Sequence, residues 1–373
     1  MTEQYTALFD EHKRLGASFT DFGGWQMPLK YSSELAEHHA VRRAAGLFDL
    51  SHMGEVEVSG PQAAAFLDYA LTGKLSAVAV GRAKFSLITN AEGGIIDDLI
   101  SYRRGVESYL VVPNAGNAAA VAAELAARAA GFDVAVQDKT AETSLVAVQG
   151  PEAEAILLDL VPAAQRELVT GMKYYAAASV ELTVGGSSHT LLVARTGYTG
   201  EDGFEIYVPN EDAPALWQGL LSAGEHRGLV PAGLACRDSL RLEAGMPLYG
   251  NELSLDVDPY AAGLGGVVAL SKDGDFVGRA ALAARKEQGP ARKLVGLKGS
   301  GRRSARSHYP VLNDGQAIGE VTSGAPSPTL GYPIALAYVD ATYAEPGTEL
   351  LVDLRGKPEP FEVVQLPFYT RDK

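Results

Sequence analysis

Between Lys84 and Asn90 the chain reads K-F-S-L-I-T-N, polar and apolar positions alternating at a period near two, and from Ile95 to Tyr102 it is branched and apolar. Two such runs joined by Gly93-Gly94 predict a β-hairpin turned at the glycine pair. Asp97 and Asp98 do not fit that pattern. Adjacent side chains on a pleated strand take opposite faces, so one carboxylate can meet water while the other is driven toward the covered face, where it needs a partner or a ligand. Two acids beside a Gly-Gly turn are equally the mark of a solvated strand end.

Elsewhere the pattern predicts further elements in order. Ser33 can cap a helix with Glu34 and Glu37 in its first turn, Arg42 and Arg43 in its last and Gly46 just past its end, charges that suit the helix dipole. After the loop Asp49-Leu50-Ser51-His52-Met53, a strand at Gly54 to Ser59 leads to Gly60-Pro61 and a helix through Leu71. Ninety positions later, Leu145 to Gln149 again reaches Gly150-Pro151 and a helix. The segments V-E-V-S-G-P-Q-A-A-A-F-L-D (56 to 68) and V-A-V-Q-G-P-E-A-E-A-I-L-L (146 to 158) share strand, break and apolar spacing, which implies an internal duplication. Both copies continue alike: a Gly-rich hairpin, then Val112-Pro113-Asn114 and a helix ending near Gly131, or Val208-Pro209-Asn210 and a helix ending at Gly228.

Ala232 to Ala244 has helical spacing, and Gly278 to Gln288 reads as a short connecting helix. Strands are then predicted at Leu294 to Lys298, Ala317 to Thr322, Ile334 to Val339, Leu350 to Leu354 and Phe361 to Gln365. The expected fold is α+β: two duplicated α+β halves, roughly 1–140 and 141–275 and open to interleaving, followed over 276–373 by an all-β domain, a small barrel or sandwich. Paired halves leave a cleft between them, where small-molecule sites concentrate.

Composition narrows the function. With 373 residues, 46% of them apolar, the chain can bury a large core, and a net charge of −14 argues against nucleic-acid binding. Its single cysteine, Cys236, excludes an internal disulfide, and no leader-like or membrane-spanning stretch is evident, so a cytoplasmic location is expected. Phosphate-loop, dinucleotide and nucleophile-elbow motifs are missing, and His38-His39, adjacent on a helix, diverge, so no metal is expected.

What remains is Tyr, Glu, Arg and Asp in glycine-permitted turns. R-T-G-Y-T-G-E-D-G-F-E (195 to 205), F-D-L-S-H-M-G-E (48 to 55), G-G-I-I-D-D-L (93 to 99), P-A-G-L-x-x-R-D (231 to 238) and G-E-V-T-S-G-x-x-S-P-T-L-G (319 to 331) occur in an order that resembles the glycine-cleavage T-protein family of tetrahydrofolate-dependent aminomethyltransferases. The resemblance runs from about Leu8 to Tyr369. It implies a cloverleaf of three subdomains around a central folate cleft, with the last a β-barrel. It also implies a reaction in which the aminomethyl group on the lipoyl arm of H-protein gives its carbon to tetrahydrofolate, a co-substrate, releasing ammonia and 5,10-methylenetetrahydrofolate.

By position, the resemblance makes Asp97 the essential acid, Glu205 the acceptor for the pterin's ring N–H and amino group, and Arg237 the donor to its oxygen and nitrogen acceptors. Tyr198 and Tyr174 match aromatic walls, Asn114 a polar contact and Tyr369 a closing residue; Met53 is a further candidate for the lining. Phe85 stands where many relatives have tyrosine. Basic residues concentrate at Arg285, Lys286, Arg292, Lys293, Arg302 and Arg303, a candidate docking surface for an acidic lipoylated H-protein. On the same scaffold the rivals are a folate-dependent demethylase and a non-catalytic folate-binding accessory protein.

Overall fold

The computed structural model describes residues 3–371. The chain opens with α1 (Phe9–Arg14), the hairpin β1 (Ser18–Phe22) and β2 (Trp25–Lys30), and α2 (Glu34–Arg43). Ser33 caps α2 as its sequence predicts, its hydroxyl oxygen accepting the Ala36 N–H at 3.1 Å. Gly46 plays a different part from the one expected. The chain leaves α2 at Ala44 and passes straight into β3 (Ala45–Asp49), buried along its whole length. Gly46 lies inside that strand because a Cβ there would come within 2.5 Å of Val41 Cγ2. A strand buried on both faces has no polar alternation, so A-G-L-F-D reads as a helix end and a loop.

The first repeat then supplies β4 (Val56–Ser59), α3 (Ala63–Ala70), β5 (Arg82–Thr89), β6 (Ile95–Gly105), β7 (Ser108–Val112) and α4 (Ala118–Arg128). The second supplies β8 (Ala135–Asp138), β9 (Thr143–Gln149), α5 (Ala153–Leu160), α6 (Arg166–Thr170), β10 (Ala177–Val184), β11 (Ser187–Ala194), β12 (Gly203–Pro209), α7 (Ala213–Gly224) and β13 (Leu229–Pro231). Their sheets run β5-β6-β7-β4-β8 and β10-β11-β12-β9-β3-β13. Four strands correspond one to one, and the fifth position shows how the repeats are joined. Although β3 precedes β4 in the chain, it pairs antiparallel with β9; β8 precedes β9 yet pairs antiparallel with β4. Each repeat thus lends its leading strand to the other's sheet.

Helices α3 and α4 cover the outer face of the first sheet, and α5 and α7 that of the second. The inner faces meet through Phe48, Leu50, Tyr102, Val112, Leu145, Ala147 and Tyr207, so the duplicated region is a sandwich with helices outside.

Beyond it, α8 (Leu234–Glu243) and α9 (Arg279–Gln288) lead to β14 (Arg292–Gly299), β15 (Pro310–Asn313), β16 (Gln316–Pro326), β17 (Pro333–Asp340), β18 (Glu349–Asp353) and β19 (Pro358–Val364). These close into a barrel in the order β14-β17-β16-β15-β18-β19. The short strand β15, with exposed Pro310 at its start, escaped the sequence pattern. Glu243 at the end of α8 ties the barrel to the sandwich, accepting hydrogen bonds from Ser327 and Thr329 of the barrel and from Arg42 of α2. Among the described residues no helix is long and apolar enough to cross a membrane.

The Gly-Pro breaks explain themselves. Gly60 has φ +134° and Gly150 φ +136°, and a Cβ would lie 2.6 Å from the Asp133 carbonyl oxygen in the first case and 2.4 Å from that of Ala44 in the second. Each glycine's carbonyl accepts the first N–H of the helix that follows, from Ala63 and Ala153 at 3.0 Å. Gly60→Ala and Gly150→Ala are therefore each expected to lower stability by about 1–3 kcal/mol. Denaturant unfolding checks this, and wild-type stability in either variant contradicts it.

Candidate active site

Between the two sheets lies a cavity of about 300 Å³. Strand β6 forms one wall. Its register against β5 slips so that Ile88 faces Asp97 while Thr89 faces Ile95, leaving Ile96 as a bulge one residue before the acids. From Ile95 to Ile100 burial alternates strictly, with Asp97 fully buried and Asp98 half-buried. It is Asp98 that lines the cavity, together with Ile100 and Tyr102.

The structure thus places Asp97, expected to be the cavity's acid, on the opposite face of β6. Its carboxylate accepts the Asn114 backbone N–H at 2.8 Å, Asn114 Nδ2 at 2.9 Å and Asn117 Nδ2 at 2.7 Å. Asn114 Nδ2 also reaches Asp98 Oδ1 at 2.9 Å, so one amide holds both acids. Both asparagines come from the turn after β7. Burial raises Asp97 to about 6 against these donors. Asp98 is raised further, to about 7, first by burial and then by the charge of Asp97, with Asn114 opposing. The cavity-facing carboxyl is poised near neutrality, and the acid behind it has the better hydrogen bonds.

Opposite β6, β12 contributes Glu205, whose carboxylate accepts from Thr196 and, at 3.2 Å, from the Tyr102 hydroxyl. Helix α8 contributes Arg237, whose guanidinium lies 4.7 Å from the centre of the Tyr198 ring. Among the described residues no carboxylate comes within salt-bridge distance of it, and burial holds it below the usual arginine value. The Tyr198 hydroxyl donates to the Pro247 carbonyl, fixing that ring against the wall. Met53 and Phe85 line the cavity, and Tyr174, 43% exposed, stands at its mouth edge-on to Tyr175.

Tyr369 lies elsewhere. Its ring sits 4.1 Å from the Arg42 guanidinium and its N–H donates to the Glu243 carbonyl at 2.8 Å, outside the cavity lining. The C-terminal segment follows the end of α8, which carries Tyr369 over Gly200 and Arg42 and away from the acids.

Besides Asp98, the motifs did not single out His52. It is buried on the cavity wall with Nδ1 unpartnered among the described residues, edge-on to Phe22. Burial and nearby Arg237 lower it to about 4, so its imidazole is neutral at physiological pH. The signal was present in F-D-L-S-H-M-G, a loop leaving a wholly buried strand.

The basic residues fall into two groups. Arg285 pairs with Asp258 and Arg292 with Asp340, each at 3.2 Å, beside Lys286 and Lys293 near the start of β14. Arg302 and Arg303 are exposed beyond its other end. An eight-residue strand spans about 25 Å, so these six residues do not form one patch.

Residues 8–272 match the model of the GCVT N-terminal domain, and residues 292–370 that of the glycine cleavage T-protein C-terminal barrel domain. An aminomethyltransferase of Saccharopolyspora erythraea is 58% identical over 98% of both chains, and one of Bacillus cereus is 46% identical over the full length of both. The crystal structure of glycine cleavage system aminomethyltransferase T from Bartonella henselae superposes with a TM-score of 0.90 at 38% identity, covering 99% of this chain and 98% of that one. With both domain models matched in order and near-complete relatives, the chain belongs to the glycine-cleavage T-protein family and is an aminomethyltransferase.

Proposed function

We propose that the chain takes the one-carbon unit of an aminomethyl group carried by lipoylated H-protein and gives it to tetrahydrofolate bound in the cavity between the sheets. The observation that carries this reading is the convergence of Asp98, Glu205 and Arg237 on one aromatic-walled cavity. The residues suit a reduced pteridine. Glu205 offers acceptors for its ring N–H and amino group, and Arg237, half-buried without a carboxylate partner among the described residues, has donors for its oxygen and nitrogen acceptors. Tyr198, Tyr174, Met53 and Phe85 supply the flat apolar walls such a ring needs.

The chemistry moves protons as well as carbon. The methylene carbon exchanges its bonds to amine nitrogen and lipoyl sulfur for bonds to two folate nitrogens. Each of those nitrogens loses a proton, one leaving with ammonia and one going to sulfur. Asp98, half-buried and raised to about 7, is the group placed to accept a folate N–H proton and pass it to the departing amine. Asp97 and Asn114 set its proton affinity from behind, and neutral His52 adds a polar edge on the same wall. A cytoplasmic site of action suits both co-substrates.

A demethylase on this scaffold would give folate-bound carbon without ammonia, so assaying both products from aminomethyl-loaded H-protein decides between them; carbon transfer without ammonia would overturn the proposal. The accessory reading needs a reactive thiol, whereas Cys236 is buried and its thiol is pushed up by burial.

Asp98→Asn is expected to lower kcat by roughly 10²–10⁴-fold with folate binding retained. As a base, Asp98 works deprotonated, so wild-type kcat/KM should rise with pH through about 7. Asp97→Asn removes the charge that raises Asp98 and should move that limb to lower pH. Initial rates across pH check both, and a full rate in Asp98→Asn, or an unmoved limb in Asp97→Asn, refutes the assignment.

For docking, the proposal favours the group near the start of β14. Arg292→Glu with Lys293→Glu should weaken H-protein association and reduce its salt dependence, whereas Arg302→Glu with Arg303→Glu should change it less. Calorimetric titration at two salt concentrations compares the pairs, and wild-type affinity in the first would eliminate this surface.

A further inference from the structure

The cavity described above lies between β6, β7 and the start of β9. Its counterpart under the internal duplication lies between β11, β12 and the start of β4, and there the molecule has a second cleft, of about 660 Å³. The correspondence holds residue by residue: Val208-Pro209-Asn210 spans the end of β12 as Val112-Pro113-Asn114 spans the end of β7. Glu55 immediately precedes β4 at the place where Leu145 precedes the matching Val146, and Leu145 lines the first cavity while Glu55 lines the second. The duplication has replaced an apolar wall by an acid.

That acid has no partner. Glu55 is fully buried, and neither of its carboxylate oxygens has a hydrogen bond among the described residues. Tyr207, which lines both cavities, likewise has a buried hydroxyl without a hydrogen-bond partner among the described residues. The cations nearby are taken: Arg104 pairs with Glu57 at 2.6 Å and Lys139 with Glu142 at 3.1 Å. An uncompensated carboxylate in a cleft repels anions and rewards a ligand that brings positive charge and N–H donors. An alkylammonium ion has three such donors, enough for the carboxylate and the hydroxyl together.

We propose that this second cleft is a binding site for a small primary ammonium cation, held by the Glu55 carboxylate and the Tyr207 hydroxyl. Burial pushes the Glu55 carboxyl well above its ordinary value, so an arriving ammonium cation would displace a proton from it. The proposal does not depend on which substrates occupy the first cavity.

Calorimetric titration and thermal unfolding of the full chain with methylammonium chloride test it, with tetramethylammonium chloride at equal ionic strength as the control lacking N–H donors. A saturable response to methylammonium alone is expected. Glu55→Gln should bind roughly tenfold or more weakly while keeping wild-type aminomethyl transfer, and Tyr207→Phe should also bind more weakly. No saturable response in wild type, an equal response to tetramethylammonium, or wild-type affinity in either soluble variant overturns the proposal.

Discussion

The strand exchange between the two repeats is the constraint on which the rest of the structure depends. A cavity walled by two separate sheets keeps its shape only if the sheets cannot slide, and here β3 is hydrogen-bonded into the second sheet while its continuation, Leu50 to Met53, forms the cavity wall beside the first. Antiparallel pairing of β8 with β4 repeats the device from the other side. Sliding the halves would break two ladders and expose Phe48, Tyr102, Leu145 and Tyr207 at once. At about 25 cal/mol per Å² of apolar surface, uncovering a few such side chains costs several kcal/mol before any hydrogen bond is counted. The same exchange fixes the spacing between Asp98 on β6 and Glu205 on β12.

Within that frame, the distribution of hydrogen bonds decides where a proton resides. Asp97 and Asp98 are neighbours on one strand, and two such charges on the order of 6 Å apart repel by about 2–3 kcal/mol at an effective dielectric near 20, or about two pK units. The repulsion is not shared equally. Three donors stabilise ionised Asp97, whereas Asp98 has one side-chain donor that it shares with its neighbour. Asp97 therefore keeps the charge and Asp98 holds the proton near neutral pH. The acid with the weaker hydrogen bonds is the one that lines the cavity, which is the arrangement the proposed proton transfer needs.

Much of this arrangement was legible in the sequence. The Gly-Pro repeats gave the duplication, the residue patterns of both repeats gave most strands, and the family motifs gave Glu205, Arg237, Tyr198 and Asn114, which the structure gathers in the lining. Which face of β6 looks inward was not legible, because it depends on a bulge at Ile96 and on asparagines sixteen to twenty residues further along the chain. Strand β3 was hidden for a different reason: burial on both faces erases the alternation that marks a strand. Tyr369 falls outside the lining because a motif fixes order along the chain but not the path that the C-terminal segment takes over α8.

That path gives the barrel a part in the site without contributing to its lining. Arg42 links three pieces of the molecule, donating to the Thr199 carbonyl at 2.6 Å, to Glu201 at 2.9 Å and to Glu243 at 2.7 Å. Burial alone would raise Glu243, but donors from His38, Ser327 and Arg42 hold it at about 2, so the node stays charged throughout the physiological range. Tyr369 covers the guanidinium and excludes water from these ion pairs, which makes each interaction stronger. The turn braced in this way begins at Tyr198, the ring on which Arg237 lies. The barrel thus acts on the cavity at one remove: by clamping Arg42 it orients the aromatic wall and, through that wall, the Arg237 guanidinium that lies against it.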